Sequence, residues 1–288
     1  MLNRRNLINL ALAAAVAAPA DAARGASALK DIHKKVGGRL GVHILDTQSG
    51  RRITYDDGSR YAMASTCKVP LAASILWQVD HGAFPLSHLL PISREQLLPN
   101  SPIVEHQLAA GHQGMSVRDL CAAAVTYSDN AAANALFAGI GGPAALTTFV
   151  RSIGDEVTRF DRNEPSLNTN TPGDERDTTT PRAMADTMLK IFTQDVISVA
   201  SRAMLIDWMT VARSGLDRVR AGLPRNWQSA DKTGTTQNGA YNDLVITWPP
   251  DRRPILIAAF MSESTQPPKV LSTAHAHIGA LVGSEKWK

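Results

Sequence analysis

Strand-like segments lie near both ends of this chain, and the long region between them has mostly helical patterns. Near the N-terminus, residues 40–45 and 53–55 read as two strands joined across a Ser-Gly turn. Near the C-terminus, strands are predicted over 227–235, 243–248 and 255–261, with a Pro-Pro-Asp turn between the last two. Strands at both ends with helices between them predict an α/β fold. We expect an antiparallel-sheet α/β domain, built from the N- and C-terminal strands plus helices, with an all-α domain inserted.

Helical periodicity occurs in seven segments, and one long polar segment interrupts them. The predicted helices are 66–80, 117–126, 130–138, 143–152, 180–194, 201–210 and 272–282. Pro70 is compatible with the first helix because it lies in the first turn, and either Asp129 or Ser128 can cap the third. Residues 160–179 have little periodicity and are too long for a plain connection, so we expect a functional loop there.

The domain boundaries follow from these segments. We expect residues 23–62 and 211–288 to form the α/β domain. Residues 63–210 would form the all-α domain, which includes an omega loop at 160–179. Residues 1–22 are predicted to be a signal peptide that is removed from the mature protein.

The signal-peptide prediction rests on three features of residues 1–22. Arg4 and Arg5 give a positive start, and a short apolar run follows. Ala18-Pro19-Ala20 and Ala20-Asp21-Ala22 are both candidate small-residue cleavage sites. The paired arginines are also compatible with twin-arginine export. A buried N-terminal helix is the alternative, but the run lacks amphipathic spacing. We therefore expect a periplasmic protein.

Composition excludes several other classes of function. The formal net charge is only +4 and the basic residues are scattered, so we expect no nucleic-acid partner. No stretch after residue 22 is long enough to span a membrane, so we expect no membrane association after signal removal. A monomer is the default expectation. Cys67 and Cys121 lie in apolar helical runs, which favours two buried thiols over a disulfide. The histidines form no metal-binding set; His275 and His277 are expected on the surface of the last helix. No metal or cofactor is predicted.

Ser65 and Lys68 place a hydroxyl and an ammonium three positions apart at the start of a predicted helix. Residues at this spacing share one helix face. The serine could attack a carbonyl while the lysine takes or relays its proton. The pattern alone is weak, because Ser-x-x-Lys is common on solvated helices.

Two further motifs carry groups suited to the same chemistry. Ser128 and Asn130 follow one helix and begin another, so a proton donor and an amide-binding group can project into one cleft, although a helix cap is the ordinary reading. Lys232, Thr233 and Gly234 lie on a predicted strand. A glycine in a strand often marks close approach of another backbone. A substrate lying along that edge could place its carboxylate near the lysine and the threonine.

The omega loop contains a possible general base. Glu164 and Asn168 could hold a water molecule between them, with the carboxylate accepting its proton, whereas a solvated glutamate is the ordinary reading. Arg162 and Asp177 bracket this stretch and could pair across the loop neck. An exposed pair contributes little stability, so its role would be to position the loop.

Taken together and in order, these motifs resemble the class A serine β-lactamases, for which Ser-x-x-Lys, Ser-Asp-Asn and Lys-Thr-Gly form a recognised set. The segment 160–183 (FDRNEPSLNTNTPGDERDTTTPRA) resembles the omega loop of that family nearly residue for residue, and 205–209 (LIDWM) is also similar. The resemblance extends from about Gly38 onward. It implies a fold of the β-lactamase and penicillin-binding-protein type.

The resemblance also implies a first half-reaction. Ser65 would attack the β-lactam carbonyl and form an acyl-enzyme, with the backbone amides of Ser65 and Thr235 as the oxyanion hole. Ser128 would protonate the departing ring nitrogen, with Lys68 and Lys232 tuning the proton path.

The second half-reaction would use the omega loop. Glu164, with Asn168, would activate the water that hydrolyses the ester and so return the enzyme to its free state. Whether Lys68 or Glu164 starts acylation is disputed for this family, and the sequence leaves both alternatives open.

Some residues depart from the common pattern of the family. Many relatives have an arginine on the strand after Lys-Thr-Gly; in this chain Tyr241 occupies that place, and Arg218 aligns with an alternative arginine that we expect to reach the substrate carboxylate. Asn100 takes the place of the aromatic residue that is common at the cleft edge. Ala64 and Thr236 occupy the positions of a cysteine pair found in certain carbapenem-hydrolysing members, so the sequence gives less support to carbapenem hydrolysis.

Two other functions share part of this pattern. A penicillin-binding D-alanyl-D-alanine carboxypeptidase would have the serine, lysine and Lys-Thr-Gly motifs but would lack Glu164 and Asn168 as a deacylating pair. A covalent β-lactam sensor would need a membrane tether or a signalling partner. We therefore expect a hydrolase that acts on small-molecule β-lactams and confers antibiotic resistance.

Overall fold

The computed structural model describes residues 18–285 and 287, so most of the predicted signal peptide (1–17) lies outside the described residues. Along the chain, the elements are α1 (Ala18–Val36), β1 (Arg39–Asp46), β2 (Arg52–Tyr55), β3 (Tyr61–Ala62), α2 (Lys68–Asp80), β4 (Leu89–Pro91), α3 (Pro102–Ala109), β5 (Gly114–Ser116), α4 (Val117–Thr126), α5 (Asn130–Ile140), α6 (Pro143–Ser152), β6 (Thr178–Thr179), α7 (Pro181–Thr193), α8 (Val199–Val211), α9 (Val219–Gly222), β7 (Gln228–Thr235), β8 (Tyr241–Trp248), β9 (Ile255–Ser262) and α10 (Pro268–Ser284). Short 3₁₀ helices occur at Ala64–Cys67, Arg94–Gln96 and Ser166–Asn168.

The main sheet has five antiparallel strands in the order β2-β1-β9-β8-β7, which confirms the predicted fold class. The N-terminal strand β1 pairs with the C-terminal strand β9 along its whole length, with Val42 opposite Ala259. The chain therefore leaves the sheet after β2, forms helices α2 to α8, and returns to the same sheet at β7.

Both faces of the sheet are covered, which explains the continuous apolar runs in its strands. On β9, Ile257 and Ala259 belong to a hydrophobic cluster shared with α1 and α10. Leu256, Ala258 and Phe260 alternate with them and belong to the cluster shared with α2, α7 and α8. Successive side chains of a strand point to opposite faces, so one strand contributes to both clusters.

Helix α2 lies at the centre of the helical region and packs against α4, α5, α6 and α8. Every residue from Lys68 to Leu76 is buried, so this helix has no solvated face over its first nine residues. A helix that is buried all round is typical of the core of a large domain. Lys68, at the start of this helix, is therefore enclosed by the protein.

Two sequence-based expectations about buried groups had different outcomes. Cys67 and Cys121 are free and buried, as predicted. The expectation that His275 lies on the surface was wrong, because its side chain is fully buried, whereas His277 is exposed. Helix α10 contacts both α1 and α9, so it buries more of its circumference than a helix packed on one side.

Helix α3 was not predicted, and its N-terminus depends on a residue distant in sequence. The side chain of Asp129 accepts hydrogen bonds from the backbone N–H groups of Ile103 (2.9 Å) and Val104 (3.1 Å). The same carboxylate caps α5 through the N–H of Ala132 (2.9 Å). One buried side chain thus satisfies the free donors at two helix N-termini.

No single helix in the described part of the chain has the length and apolar character needed to cross a membrane. The helices Asn130–Ile140 and Pro143–Ser152 meet those criteria only when counted as one bent pair, with 69° between them.

Candidate active site

The turn that carries Ser65 is held between the sheet and the helical region. Ser65 lies in the 3₁₀ helix Ala64–Cys67, directly before α2, and is half-buried. Asn242 on β8 fixes the approach to this turn, because its amide donates to the carbonyls of Ala62 (2.8 Å) and Met63 (3.0 Å). Ala64 has a positive φ of 49°, a conformation that is uncommon for a residue with a Cβ atom.

Lys68 brings most of the predicted catalytic groups together. Its Nζ lies 3.1 Å from Ser65 Oγ and 2.6 Å from Asn130 Oδ1. It also lies 2.8 Å from the carbonyl of Ser128 and 3.3 Å from its hydroxyl. Glu164 Oε1 is 3.0 Å from the same nitrogen, and both side chains of this ion pair are fully buried. A fully enclosed ammonium with these neighbours can exchange a proton with either hydroxyl.

The Ser128 segment projects its hydroxyl between two lysines. Ser128 has a positive φ of 58° and directly precedes the buried cap residue Asp129. Ser128 Oγ lies 3.3 Å from Lys68 Nζ and 3.1 Å from Lys232 Nζ. Asn100 supports this turn by donating to the Ser128 carbonyl (2.9 Å). The hydroxyl therefore lies where it can relay a proton from one lysine to the other when one of the two is a neutral amine.

Strand β7 approaches the nucleophile so closely that only glycine fits at one position. A Cβ atom on Gly234 would lie 2.7 Å from the carbonyl oxygen of Met63 and 3.1 Å from the backbone nitrogen of Thr66. The predicted close backbone approach at this glycine is thus present. Thr233 is buried beside it, and its hydroxyl donates to Ser214 Oγ (2.7 Å).

Lys232 is buried, in contrast to the exposed lysine that an ordinary strand would carry. Its Nζ donates to Ser128 Oγ (3.1 Å) and to the carbonyl of Thr233 (2.8 Å). Burial, reinforced by the positive charge of Lys68, lowers the pKa of Lys232 to about 7. Its charge therefore changes within the pH range in which an enzyme works.

Glu164 is held by the protein at its backbone as well as at its carboxylate. Asn134 on α5 accepts from the Glu164 N–H and donates to its carbonyl, both at 2.9 Å. Asn168 Nδ2 donates to Glu164 Oε2. Glu164 Oε1 is buried and receives no hydrogen bond from any residue that the structure describes, since the contact with Lys68 Nζ is ionic and outside hydrogen-bond geometry. One carboxylate oxygen thus remains able to accept a proton.

The structure brings Arg162 and Asp177 together at the neck of the omega loop. Arg162 Nε donates to Asp177 Oδ2 (2.5 Å), and Asp177 Oδ1 also accepts from the backbone N–H groups of Asp161 (2.9 Å) and Arg162 (3.0 Å). The expectation of an exposed pair was wrong. The Asp177 side chain is only 3% exposed and that of Arg162 is 16% exposed, so the pair is largely desolvated. Removing one partner of such a pair costs more stability than removing one partner of an exposed pair.

Arg218 lies beneath the end of β7, next to Thr235. Its Nη1 donates to the carbonyls of Gly234 (3.2 Å) and Asn242 (2.7 Å), and its Nη2 donates to Thr235 Oγ1 (2.6 Å). Arg218 is buried, whereas Thr235 is exposed. Because the Thr235 hydroxyl accepts from the arginine, its own hydrogen is free to donate to a ligand above the strand.

Asn134, Ser214 and Asn242 are supporting residues that the sequence analysis missed. Asn134 follows Asn130 by four positions on α5, so the shared helix face was a usable signal. Ser214 and Asn242 had no such signal, because each acts on a segment distant in sequence. Among the residues that the structure describes, no three His, Cys, Asp or Glu side chains form a group that could hold a metal ion.

Comparisons with known proteins agree with this geometry. The sequence model of the Beta-lactamase enzyme family matches residues 24–284. The chain is 41% identical over 241 residues to Beta-lactamase OXY-2 of Klebsiella oxytoca, covering 84% of this chain and 82% of that protein. It is 40% identical over 238 residues to Beta-lactamase CTX-M-8 of Citrobacter amalonaticus, covering 83% and 81%. The structure of an ancestral (GNCA) class A β-lactamase superimposes with a TM-score of 0.87 at 47% identity, covering 90% of this chain and 98% of that one.

Proposed function

The chain belongs to the class A β-lactamases, hydrolases that act on β-lactams, and we propose that it opens the β-lactam amide of penicillins and cephalosporins through an ester on Ser65. The proposal assigns catalytic roles to Ser65, Lys68, Ser128 and Glu164. It is supported by their convergence on one buried ammonium, with every contact from Lys68 Nζ at 3.3 Å or less.

In the first step, Ser65 Oγ forms a bond to the β-lactam carbonyl carbon, and the C–N bond of the ring breaks. The hydroxyl proton leaves Ser65, and the ring nitrogen gains a proton from Ser128. Lys68 Nζ touches both hydroxyls, at 3.1 and 3.3 Å, so it can replace the proton that Ser128 gives up. The backbone N–H groups of Ser65 and Thr235 would stabilise the oxyanion. Glu164 can take the first proton, or Lys68 can take it as a neutral amine after passing its own proton to Glu164, since the two groups lie 3.0 Å apart.

In the second step, Glu164 takes a proton from a water molecule, whose oxygen then attacks the ester carbonyl and releases Ser65. The observation that carries this role is the position of Glu164 Oε1, which is buried, lies 3.0 Å from the lysine nitrogen that touches the nucleophile, and accepts no hydrogen bond from the described residues. Asn168 occupies the other carboxylate oxygen, which leaves Oε1 as the acceptor for water. This pair is the feature that separates a hydrolase from a carboxypeptidase or a sensor that stays acylated.

The substrate carboxylate would bind at the end of β7. Lys232 and Arg218 supply positive charge there, and the Thr235 hydroxyl supplies a neutral donor. Thr233 would join them by turning its hydrogen from Ser214 to the substrate. Asn130, whose amide group donates to Pro99 and accepts from Lys68, would face the amide of the substrate side chain. Both ends of the substrate are then held while its carbonyl faces Ser65.

Cellular context forms part of the same proposal. Residues 1–22 would direct export, and the mature enzyme would act as a periplasmic monomer that confers resistance to β-lactam antibiotics. The relatives from Klebsiella oxytoca and Citrobacter amalonaticus, both Gram-negative bacteria, support this location.

The test is a comparison of three variants with a chromogenic cephalosporin. We expect Ser65→Ala to form no covalent adduct by mass spectrometry. We expect Glu164→Ala to acylate but to release product about 10²–10⁴-fold more slowly, because general-base catalysis contributes that range. Glu175→Ala is the matched control, since this glutamate lies in the same loop with its side chain 62% exposed. Fast turnover by Glu164→Ala would remove Glu164 from its role, and a single burst by the native enzyme would indicate a sensor or peptidase.

A further inference from the structure

We propose that Tyr241 is a positioning residue for the substrate carboxylate and that it acts through Arg218. The inference rests on the proposed role of Arg218 in binding that carboxylate. The carbon of the guanidinium group lies 3.5 Å from the centroid of the Tyr241 ring, on the neighbouring strand β8. Both side chains are buried.

Hydrogen bonds account for only part of what orients the guanidinium group of Arg218. A guanidinium has five N–H donors. Two go to the main-chain carbonyls of Gly234 and Asn242, and one goes to Thr235. The Nε donor is buried and has no hydrogen-bond partner in the described part of the chain. The ring of Tyr241 therefore covers the face of a cation whose edge is only partly bonded.

The charge of Arg218 acts on two buried acids, Asp231 and Asp243, but neither forms an ion pair with it. Arg218 forms no ion pair with any residue that the structure describes, and its contacts are two carbonyls, one hydroxyl and one ring. The nearest buried acid on the same strand as Tyr241 is Asp243. Burial, reinforced by the neighbouring Asp231, raises the pKa of that carboxyl well above its usual range. An arginine stabilised by an aromatic face keeps its full charge for an incoming anion.

Tyr241 is itself fixed from helix α10 and from the turn that carries Arg218. Its hydroxyl lies 2.8 Å from Ser272 Oγ, and Ser272 donates to Asp217 Oδ2 (2.7 Å), the residue before Arg218. The imidazole of His275 packs against the same tyrosine, with 5.7 Å between ring centroids. Burial and the charge of Arg218 lower the pKa of His275 to about 3, so this neighbour stays neutral and does not compete with the arginine for the ring.

The experiment compares a chromogenic cephalosporin with its methyl ester at the ring carboxylate. We expect Tyr241→Leu to lower kcat/KM for the free acid about tenfold, mainly through KM, and to leave the ester unchanged. Tenfold corresponds to about 1.4 kcal/mol, as expected for a desolvated cation–π contact. Arg218→Gln should weaken the preference for the acid, with Lys232 and Thr235 providing what remains, and adding Tyr241→Leu to it should cause no further loss. Thr273→Ala, an exposed neighbour of Ser272 on α10, is the control and should match the native enzyme.

The outcomes separate the two proposals. If Arg218→Gln leaves the preference for the acid undiminished, both the role of Arg218 and this inference are overturned. If Arg218→Gln weakens that preference while Tyr241→Leu affects acid and ester equally, or neither, only the inference about Tyr241 is overturned.

A second series covers the case in which Tyr241→Leu does not fold. Phenylalanine with increasing numbers of fluorine atoms replaces Tyr241, which weakens the negative face of the ring while retaining its shape. We expect kcat/KM for the acid to fall with each added fluorine and kcat/KM for the ester to stay level. A constant value for the acid across the series would overturn the inference.

Discussion

Replacement of Asp177 by alanine should open the omega loop and stall the enzyme at the acyl stage. The change removes three hydrogen bonds at the loop neck, one from Arg162 Nε and two from the backbone N–H groups of Asp161 and Arg162. The Asp177 side chain is almost fully buried, so water does not replace these bonds unless the neck opens. The carboxylate of Glu164 lies within this loop and would move with it.

The expected loss of stability in Asp177→Ala follows from the burial of the ion pair and from the contacts that Arg162 retains. Removing one partner of a buried ion pair costs about 3–5 kcal/mol. Arg162 would keep a contact with Asp174, at 3.2 Å, so we expect the lower end of that range, about 3 kcal/mol. Since each 1.4 kcal/mol is a factor of ten, the open state of the loop gains on the order of 10²-fold in population. Asp177→Asn keeps an oxygen for the backbone donors and should lose less.

Two measurements test this reasoning. Urea unfolding gives the loss of stability, and the lifetime of the acyl-enzyme, followed by mass spectrometry, gives the effect on deacylation. Arg176→Ala is the control, because Arg176 is a largely exposed member of a neighbouring ion pair and should change stability by less than about 1 kcal/mol. If Asp177→Ala unfolds like the control and its acyl-enzyme has the same lifetime as that of the control, the ion pair at the loop neck does not hold Glu164 in place.

Two further predictions concern buried titratable groups. Because the pKa of Lys232 is lowered to about 7, its ammonium is present below that pH and lost above it, so kcat/KM for carboxylate-bearing substrates should fall as the pH rises through about 7. Lys232→Arg stays charged and should move this fall to higher pH; coincident pH profiles for the two enzymes would contradict the assignment. Burial raises the pKa of the thiols of Cys67 and Cys121, so neither should react with a thiol reagent until the enzyme is unfolded. Rapid labelling of the folded enzyme would show that the thiols are more accessible than the structure indicates.

Local patterns were sufficient for most of the secondary structure. The predicted strand 255–261 corresponds to β9, and the predicted helices 117–126 and 143–152 correspond to α4 and α6. These predictions succeeded because the hydrophobic period and the turn residues that define each element lie within the element or next to it. Helix α3 was missed because its cap comes from Asp129, more than twenty residues along the chain. The position of His275 was wrong because α10 is covered on more than one side, which no periodicity within that helix reveals.

The sequence by itself determined which groups are available for the chemistry: a serine and a lysine one helical turn apart, a Ser-Asp-Asn turn, a Lys-Thr-Gly strand and a loop acid, in an order shared with one family. Only the tertiary structure decided how these groups meet, since Lys68 and Lys232 reach Ser128 across 60 and 104 positions of the chain. It also decided that both lysines are buried and that the Arg218 guanidinium lies against Tyr241. Covalent spacing fixes neighbours within a turn, whereas desolvation and contacts between distant segments depend on how the whole chain packs.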